Sequence, residues 1–219
     1  MTPTRELEDE VRKRAGDGAL YIAGVDEVGV GCLAGPVIAA AVVLPDDFGS
    51  LPGDSKQLTG ARREELFWVI RARAIAIGIG HSSPLQVDTL GIARAKERAI
   101  VKSFTACRLK LSAGIKIARL AAVVDDRRLG RLRSQLGGAC SVFADKADER
   151  SVSVAAASIV AKVLRDRYMT RVGLFYQAYE FGNNKGYGTP KHLAALRELG
   201  PCPIHRRSFS PVKKAINEV

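Results

Sequence analysis

The apolar positions of this 219-residue chain fall into short runs that alternate between strand-like and helix-like spacing. "LYIAGVD" (20–26) and "AGPVIAAAVVLP" (34–45) are apolar almost throughout, as buried strands are, and a Gly-rich turn joins them. "LTGARREELFWVIRARA" (58–74) predicts a helix capped by Thr59, with Leu66, Phe67, Val69 and Ile70 at helical spacing and Trp68 most simply in the core. "RAIAIGIGHS" (73–82) alternates like a strand. "SPLQ" (83–86) then reads as a capping box with Pro84 at the first helical position, opening a mostly helical stretch to about Arg108. "ARLAAVVDD" (118–126) and "ACSVFA" (139–144) are further strands, and "SVAAASIVAKVLRDRYMTRV" (153–172) is a helix with an Ala-rich buried face. "TPKHLAALRELG" (189–200) has a Thr189 cap, Pro190 at the first helical position and Gly200 as its stop.

This order predicts one α/β domain, its early strands hairpin-linked and its later ones reached by helical crossovers. There is no internal repeat, low-complexity tract or long linker. No apolar segment runs 18 residues without a charge or turn former, so no membrane span is expected. The N-terminal stretch is charged throughout, with no apolar signal region, and a cytoplasmic protein is expected. Cys32, Cys107, Cys140 and Cys202 form no C-x-x-C and the three histidines are scattered, which argues against zinc and for reduced thiols.

Charge adds the first functional hint. The 34 Lys and Arg against 23 Asp and Glu give a net +11, a balance that suits a polyanion as well as a generic basic surface. Against it stand carboxylates at the ends of apolar strands: Asp26 and Glu27 after Val25, and Asp125 and Asp126 after Val124. A third acidic cluster, Asp145, Asp148 and Glu149, precedes the Ala-rich helix. If the two strands are neighbours, their acids raise one another's pKa unless a cation binds between them. Oxygen ligands without Cys or His point to Mg²⁺ or Mn²⁺. The alternative is that the third cluster is loop solvation and that one of Asp125 and Asp126 caps a turn.

Five blocks in order carry a more specific signal: "IAGVDEVGVGCLAGPVIAAAVVLP" (22–45), "DSKQL" (54–58), "VVD" (123–125), "KADERSVSVAAASIVAKVLRDR" (146–167) and "NKGYGTPKHLAALRELGPCPIHRRSFSPV" (184–212). Together they resemble ribonuclease HII over roughly residues 20 to 213. The resemblance implies an RNase H-like mixed sheet flanked by helices, about 20–170, and a helical C-terminal extension that binds substrate, about 171–213.

It also implies a four-carboxylate metal site at Asp26, Glu27, Asp125 and Asp148, holding Mg²⁺ or Mn²⁺. The activity implied is endonucleolytic cleavage of the RNA strand of RNA–DNA hybrids and of ribonucleotides embedded in duplex DNA. One ion would activate a water and a second would stabilise the departing 3′-oxygen, leaving 5′-phosphate and 3′-hydroxyl ends. The turn Gly29, Val30 and Gly31 would meet the 2′-hydroxyl, and Tyr187 would stack on the following deoxyribose. Lys56, Lys185, Arg206 and Arg207 are candidate phosphate contacts. Val30 departs from the arginine usual in the family. Asp166 is expected on the helix surface or supporting the site, and His205 is either structural or a substrate contact. The ending "KKAINEV" shows no clamp-binding peptide, and a monomer is expected. Other readings are a metal nuclease of the same fold with a different nucleic-acid substrate, and a hybrid-binding protein without catalysis.

Overall fold

The computed structural model describes residues 2–16, 20–51, 58–114 and 119–217. Helix α1 (Glu6–Ala15) leads to strand β1 (Leu20–Val28), which turns back into β2 (Val37–Val43). Helix α2 (Gly60–Arg73), strand β3 (Ala76–Ser82), and helices α3 (Pro84–Leu90) and α4 (Ile92–Gly114) follow, then strand β4 (Arg119–Asp125). Two 3₁₀ segments, Arg127–Gln135 and Gly138–Cys140, lead to the short β5 (Val142–Ala144). A 3₁₀ turn, Ala147–Glu149, precedes the long helix α5 (Val152–Gly173). The C-terminal part holds a 3₁₀ turn, Gln177–Tyr179, and helices α6 (Phe181–Asn184), α7 (Pro190–Leu199) and α8 (Ser210–Asn217).

The sheet is mixed, in the order β3-β2-β1-β4-β5. β1, β2 and β3 pair antiparallel, while β4 joins β1 in parallel after the α3–α4 crossover, and β5 joins β4 in parallel. Two strands buried on both faces explain the continuous apolar runs: every residue of β2 is buried. Ala23, Val25, Ala122 and Val124 face a core shared with Ala99, Ile100 and Phe104 of α4. The opposite face packs on α5 and α2 through Ala40, Val42, Ala156 and Ile159, and on α1 through Ile22, Val123, Leu7 and Val11.

The caps appear where the sequence places them. Ser83 and Gln86 form the capping box, Thr59 accepts from Arg62 N–H, and Thr189 accepts from His192 N–H. The helical stretch after Ser83 breaks at Gly91 and runs to Gly114, beyond Arg108. One expectation fails in α2, that of Trp68 in the core. Trp68 is 52% exposed and Val69 is 41% exposed, because Leu66, Phe67 and Ile70 already fill the buried face and residues 68 and 69 point away from it. Trp68 lies instead beneath the guanidinium groups of Arg71 and Arg167, each 5.3 Å from the ring. Helix α1, absent from the sequence reading, buries only Leu7, Glu8 and Val11, too few positions for its periodicity to stand out.

Helix α5 approaches β1 backbone to backbone. A Cβ on Gly24 would stand 2.0 Å from the Ser153 carbonyl carbon and 2.2 Å from Val154 N, so this contact exists only with glycine. Gly24→Ala is therefore expected to cost about 3 kcal/mol or to displace α5. Urea denaturation measures this; an unchanged midpoint would show that the helix seat is not fixed by Gly24.

Candidate active site

The parallel register pairs Val25 with Val124. Continued by one residue, it sets Asp26 beside Asp125 on strands about 4.8 Å apart. Strand alternation then sends the acids of β1 to different helices. Asp26 follows Gly24 toward α5, where Ser158 hydrogen-bonds it, and its Oδ1 also accepts the Glu27 N–H at 2.7 Å. Glu27 follows Val25 toward α4, where the Lys96 Nζ lies 2.9 Å from its Oε1. Asp125 shares the face of Asp26, and its Oδ1 accepts the Ala147 N–H at 2.8 Å. Asp148, 9% exposed, is the next residue of that 3₁₀ turn.

Burial, reinforced by Glu27 and Asp125, pushes the Asp26 carboxyl well above the ordinary aspartate range. Burial also raises Glu27, against the pull of Lys96, and Glu27 Oε2 is buried without a hydrogen-bond partner among the described residues. Hard oxygen donors, mutual repulsion and an unpartnered carboxylate oxygen suit a hard divalent cation. Among the described residues, no three acidic, histidine or cysteine side chains are already gathered as a metal centre.

The second acid of β4 has another task. Asp126 caps the 3₁₀ segment by accepting Arg128 N–H at 2.8 Å, and its other oxygen meets Lys96 Nζ at 2.9 Å. Hydrogen bonds from Arg128 and Lys96 hold its carboxyl far below the usual range despite burial. Lys96 thus bridges Glu27 and Asp126, a role that one lysine among the basic residues of α4 gave no sequence signal for. Asp145 pairs with Arg127 at the surface, 3.0 Å away, and Glu149 lies 3.9 Å from Lys146. Asp166, on the helix surface, pairs with Lys162 at 2.7 Å.

Beyond Glu27 the chain enters the Gly29–Gly31 turn. Two buried arginines shape it through backbone carbonyls. Arg206 donates to Gly29, to Val30 at 2.9 Å and to Gly35 at 3.0 Å. Arg165 donates to Ala34 at 3.1 Å, Pro36 at 3.0 Å and Lys185 at 2.8 Å. Gly29 has φ +90°, and a Cβ there would meet Arg165 Nε at 2.2 Å, whereas one on Gly31 would meet open space. Val30 is partly buried and borders a cleft of about 290 Å³ lined also by Ile92, Lys96, Asp126, Arg128 and Leu129. Arg206 is therefore corrected from a phosphate contact to a buried clamp: it is 0% exposed, and the carbonyl dipoles take its charge. Burial lowers its pKa to about 10.

Of the remaining candidates, Arg207 is exposed, its N–H donating to Asp88 at 2.9 Å. Lys185 donates to Thr170 at 2.6 Å and to the Gly182 carbonyl, at the edge of a groove of about 600 Å³ that Arg63, Arg167 and Arg171 also line. Lys56 lies outside the described residues. Tyr187 is 43% exposed beside Cys32, which is buried. Behind it runs a histidine relay. Cys202 N–H donates to His205 Nδ1 at 3.0 Å, so His205 Nε2–H faces His192 Nε2 at 2.9 Å, and His192 Nδ1–H reaches the Tyr187 carbonyl at 2.8 Å. His205 is structural.

A family model described as ribonuclease HII matches residues 23–212. The chain belongs to the ribonuclease HII family. This is a family of endonucleases. The ribonuclease HII of Listeria innocua is 48% identical over 199 residues, covering 90% of this chain and 71% of that one. The ribonuclease HII of Desulfitobacterium hafniense is 42% identical over 205 residues, 93% and 74% of the two chains. Among solved structures, ribonuclease H2 from Pyrococcus horikoshii matches with a TM-score of 0.71 and 26% identity, covering 90% of this chain and 97% of that one. Helix α1 lies before the residues that the ribonuclease HII model matches.

The relay makes a pH prediction. Burial, then the proximity of His192, lowers His205 to about 4 from 6.5. A histidine depressed in the folded state stabilises fully above pH 6.5, and that contribution drains away as pH falls toward 4 and the unfolded chain takes up the proton. The loss amounts to about 3 kcal/mol. The raised pKa of Asp26 acts in the opposite direction, so the comparison must be with His205→Asn. Urea unfolding between pH 6.5 and 4 should show a flatter acid-side decline in the variant; parallel curves would contradict the neutral relay.

Proposed function

We propose that this chain hydrolyses the RNA strand of RNA–DNA hybrids and cleaves at single ribonucleotides in duplex DNA, leaving 5′-phosphate and 3′-hydroxyl ends. The observation that carries the reading is the β1–β4 register, which sets Asp26 beside Asp125 immediately before the Gly29–Gly31 turn. Asp26, Glu27, Asp125 and Asp148 would hold Mg²⁺ or Mn²⁺. Such an ion, when bound, supplies charge stabilisation at phosphorus and an activated water.

The chain's own residues supply the selection. RNA is told from DNA by the 2′-hydroxyl. Arg206 occupies the carbonyls of Gly29 and Val30, so this reading assigns the contact with that hydroxyl to the N–H groups of the turn. The open space at Gly31 admits a sugar edge. Tyr187 offers an exposed ring to the next sugar, with its backbone held by His192. Lys185 and Arg207, with Lys56, are placed by this reading against phosphates of the duplex. The partly buried Val30 carries no charge, so the phosphate contact of the usual arginine is absent from the turn.

Cleavage of a DNA duplex with one ribonucleotide, beside an RNA–DNA hybrid and an all-DNA duplex, tests the reading. Mg²⁺-dependent cuts in the first two and none in the third are expected. Asp26→Asn should reduce cleavage by at least about a thousandfold without lowering the melting temperature in metal-free buffer, since it relieves repulsion. Cleavage of the all-DNA duplex, or near-normal activity of Asp26→Asn, would overturn it.

A further inference from the structure

Helix α1 reaches the segment that carries Asp148. Thr4 C=O accepts the Val152 N–H at 2.9 Å, and Leu7 N–H approaches the Arg150 carbonyl at 3.5 Å. Glu6 pairs with Arg150 at 3.1 Å and 2.5 Å. Leu7 and Val11 pack in one cluster with Ala147 and Val154. At the centre is Glu8, 1% exposed. Its Oε1 accepts Ser153 N–H at 3.0 Å, Ser153 Oγ–H at 2.6 Å and Ser151 Oγ–H at 2.8 Å. Ser151 in turn accepts Val154 N–H at 3.2 Å.

A burial this complete for a carboxyl needs a reason. The first amides of α5 are its positive end, and an acid a few residues upstream is their natural partner. Asp148 is such an acid, four residues before Val152. Glu8 and Ser151 already accept the Ser153 and Val154 amides. On its other side the same turn is tied to Asp125 through Ala147 N–H at 2.8 Å. We infer that Glu8 is a positioning residue: it occupies the start of α5 and braces the Ala147–Ser153 segment, from which the Asp148 carboxylate would join the Asp26–Asp125 site. The inference rests on the proposed role of Asp148 as a metal-holding acid.

The test uses the full-length protein with Glu8→Ala, Glu8→Gln, Glu8→Asp and Asp148→Asn. The Mg²⁺ concentration at half-maximal thermal stabilisation is measured without substrate, and kcat and KM on a single-ribonucleotide duplex are measured alongside. Glu8→Ala should raise the Mg²⁺ midpoint and lower kcat by about tenfold each, as loss of a group supporting a ligand does, with KM unchanged. Glu8→Gln keeps the Oε1 acceptor for Ser153 N–H and both serine hydroxyls, and its amide takes the place of the buried Oε2, so it should stay within about twofold of wild type. Should Glu8→Ala not fold, Glu8→Asp, one methylene short of Ser153, is read in its place. Folded Glu8→Ala, or Glu8→Asp where it stands in, with the wild-type Mg²⁺ midpoint, or Glu8→Gln as impaired as Glu8→Ala, would overturn the inference while Asp148→Asn still abolishes Mg²⁺-dependent cleavage. Wild-type behaviour of Asp148→Asn would overturn the role of Asp148 itself, and the inference with it.

Discussion

The parallel pairing of β1 with β4 is the constraint on which the site depends. It forces two aspartates to the same end and face of adjacent strands, where the Asp125 charge adds to burial and Glu27 in resisting the ionisation of Asp26. Nothing in the hydrophobic core requires this: Val25 and Val124 would pair as well with neutral residues after them. The fold carries an electrostatic cost at neutral pH that a divalent cation would offset.

The rest of the architecture manages that charge. Period-two alternation splits Asp26 and Glu27 between α5 and α4, so that Ser158 hydrogen-bonds the first and Lys96 neutralises the second. Lys96 also holds Asp126, whose salt bridges and cap tie the 3₁₀ segment to α4. Farther out, Arg165 and Arg206 act on carbonyls and not on acids. Six backbone oxygens around residues 29–36 and 185 converge on two buried guanidinium groups, and this fixes a Gly-rich turn that has little side-chain packing of its own. The C-terminal helices are thereby bound to the turn next to the acids, with Tyr187 between them.

The elements with strong local signals were legible before any coordinates. β2 is a continuous apolar run, Ser83 and Gln86 spell out their own cap, and Asp26 and Asp125 each end an apolar strand. What escaped was set by tertiary partners. Lys96 is one lysine among several on α4 until Glu27 and Asp126 come to either side of it. Arg206 reads as a surface charge until the carbonyls of Gly29, Val30 and Gly35 surround it. Trp68 and Val69 exceed the buried face of α2, and the helix turns them outward. Glu8 lies in a charged stretch where only Leu7 and Val11 mark the packed side of α1. The sequence also left Asp125 and Asp126 as interchangeable candidates for a turn cap; side-chain direction gives the cap to Asp126.

Crowding at the β1–β4 strand ends is what would hold Asp26 ready for a cation. A carbon-13 NMR titration of the Asp26 carboxyl, with and without Mg²⁺, addresses it most directly. The midpoint should lie well above the ordinary aspartate value in metal-free buffer and fall when Mg²⁺ is added. A midpoint in the ordinary range that Mg²⁺ does not move would contradict the account.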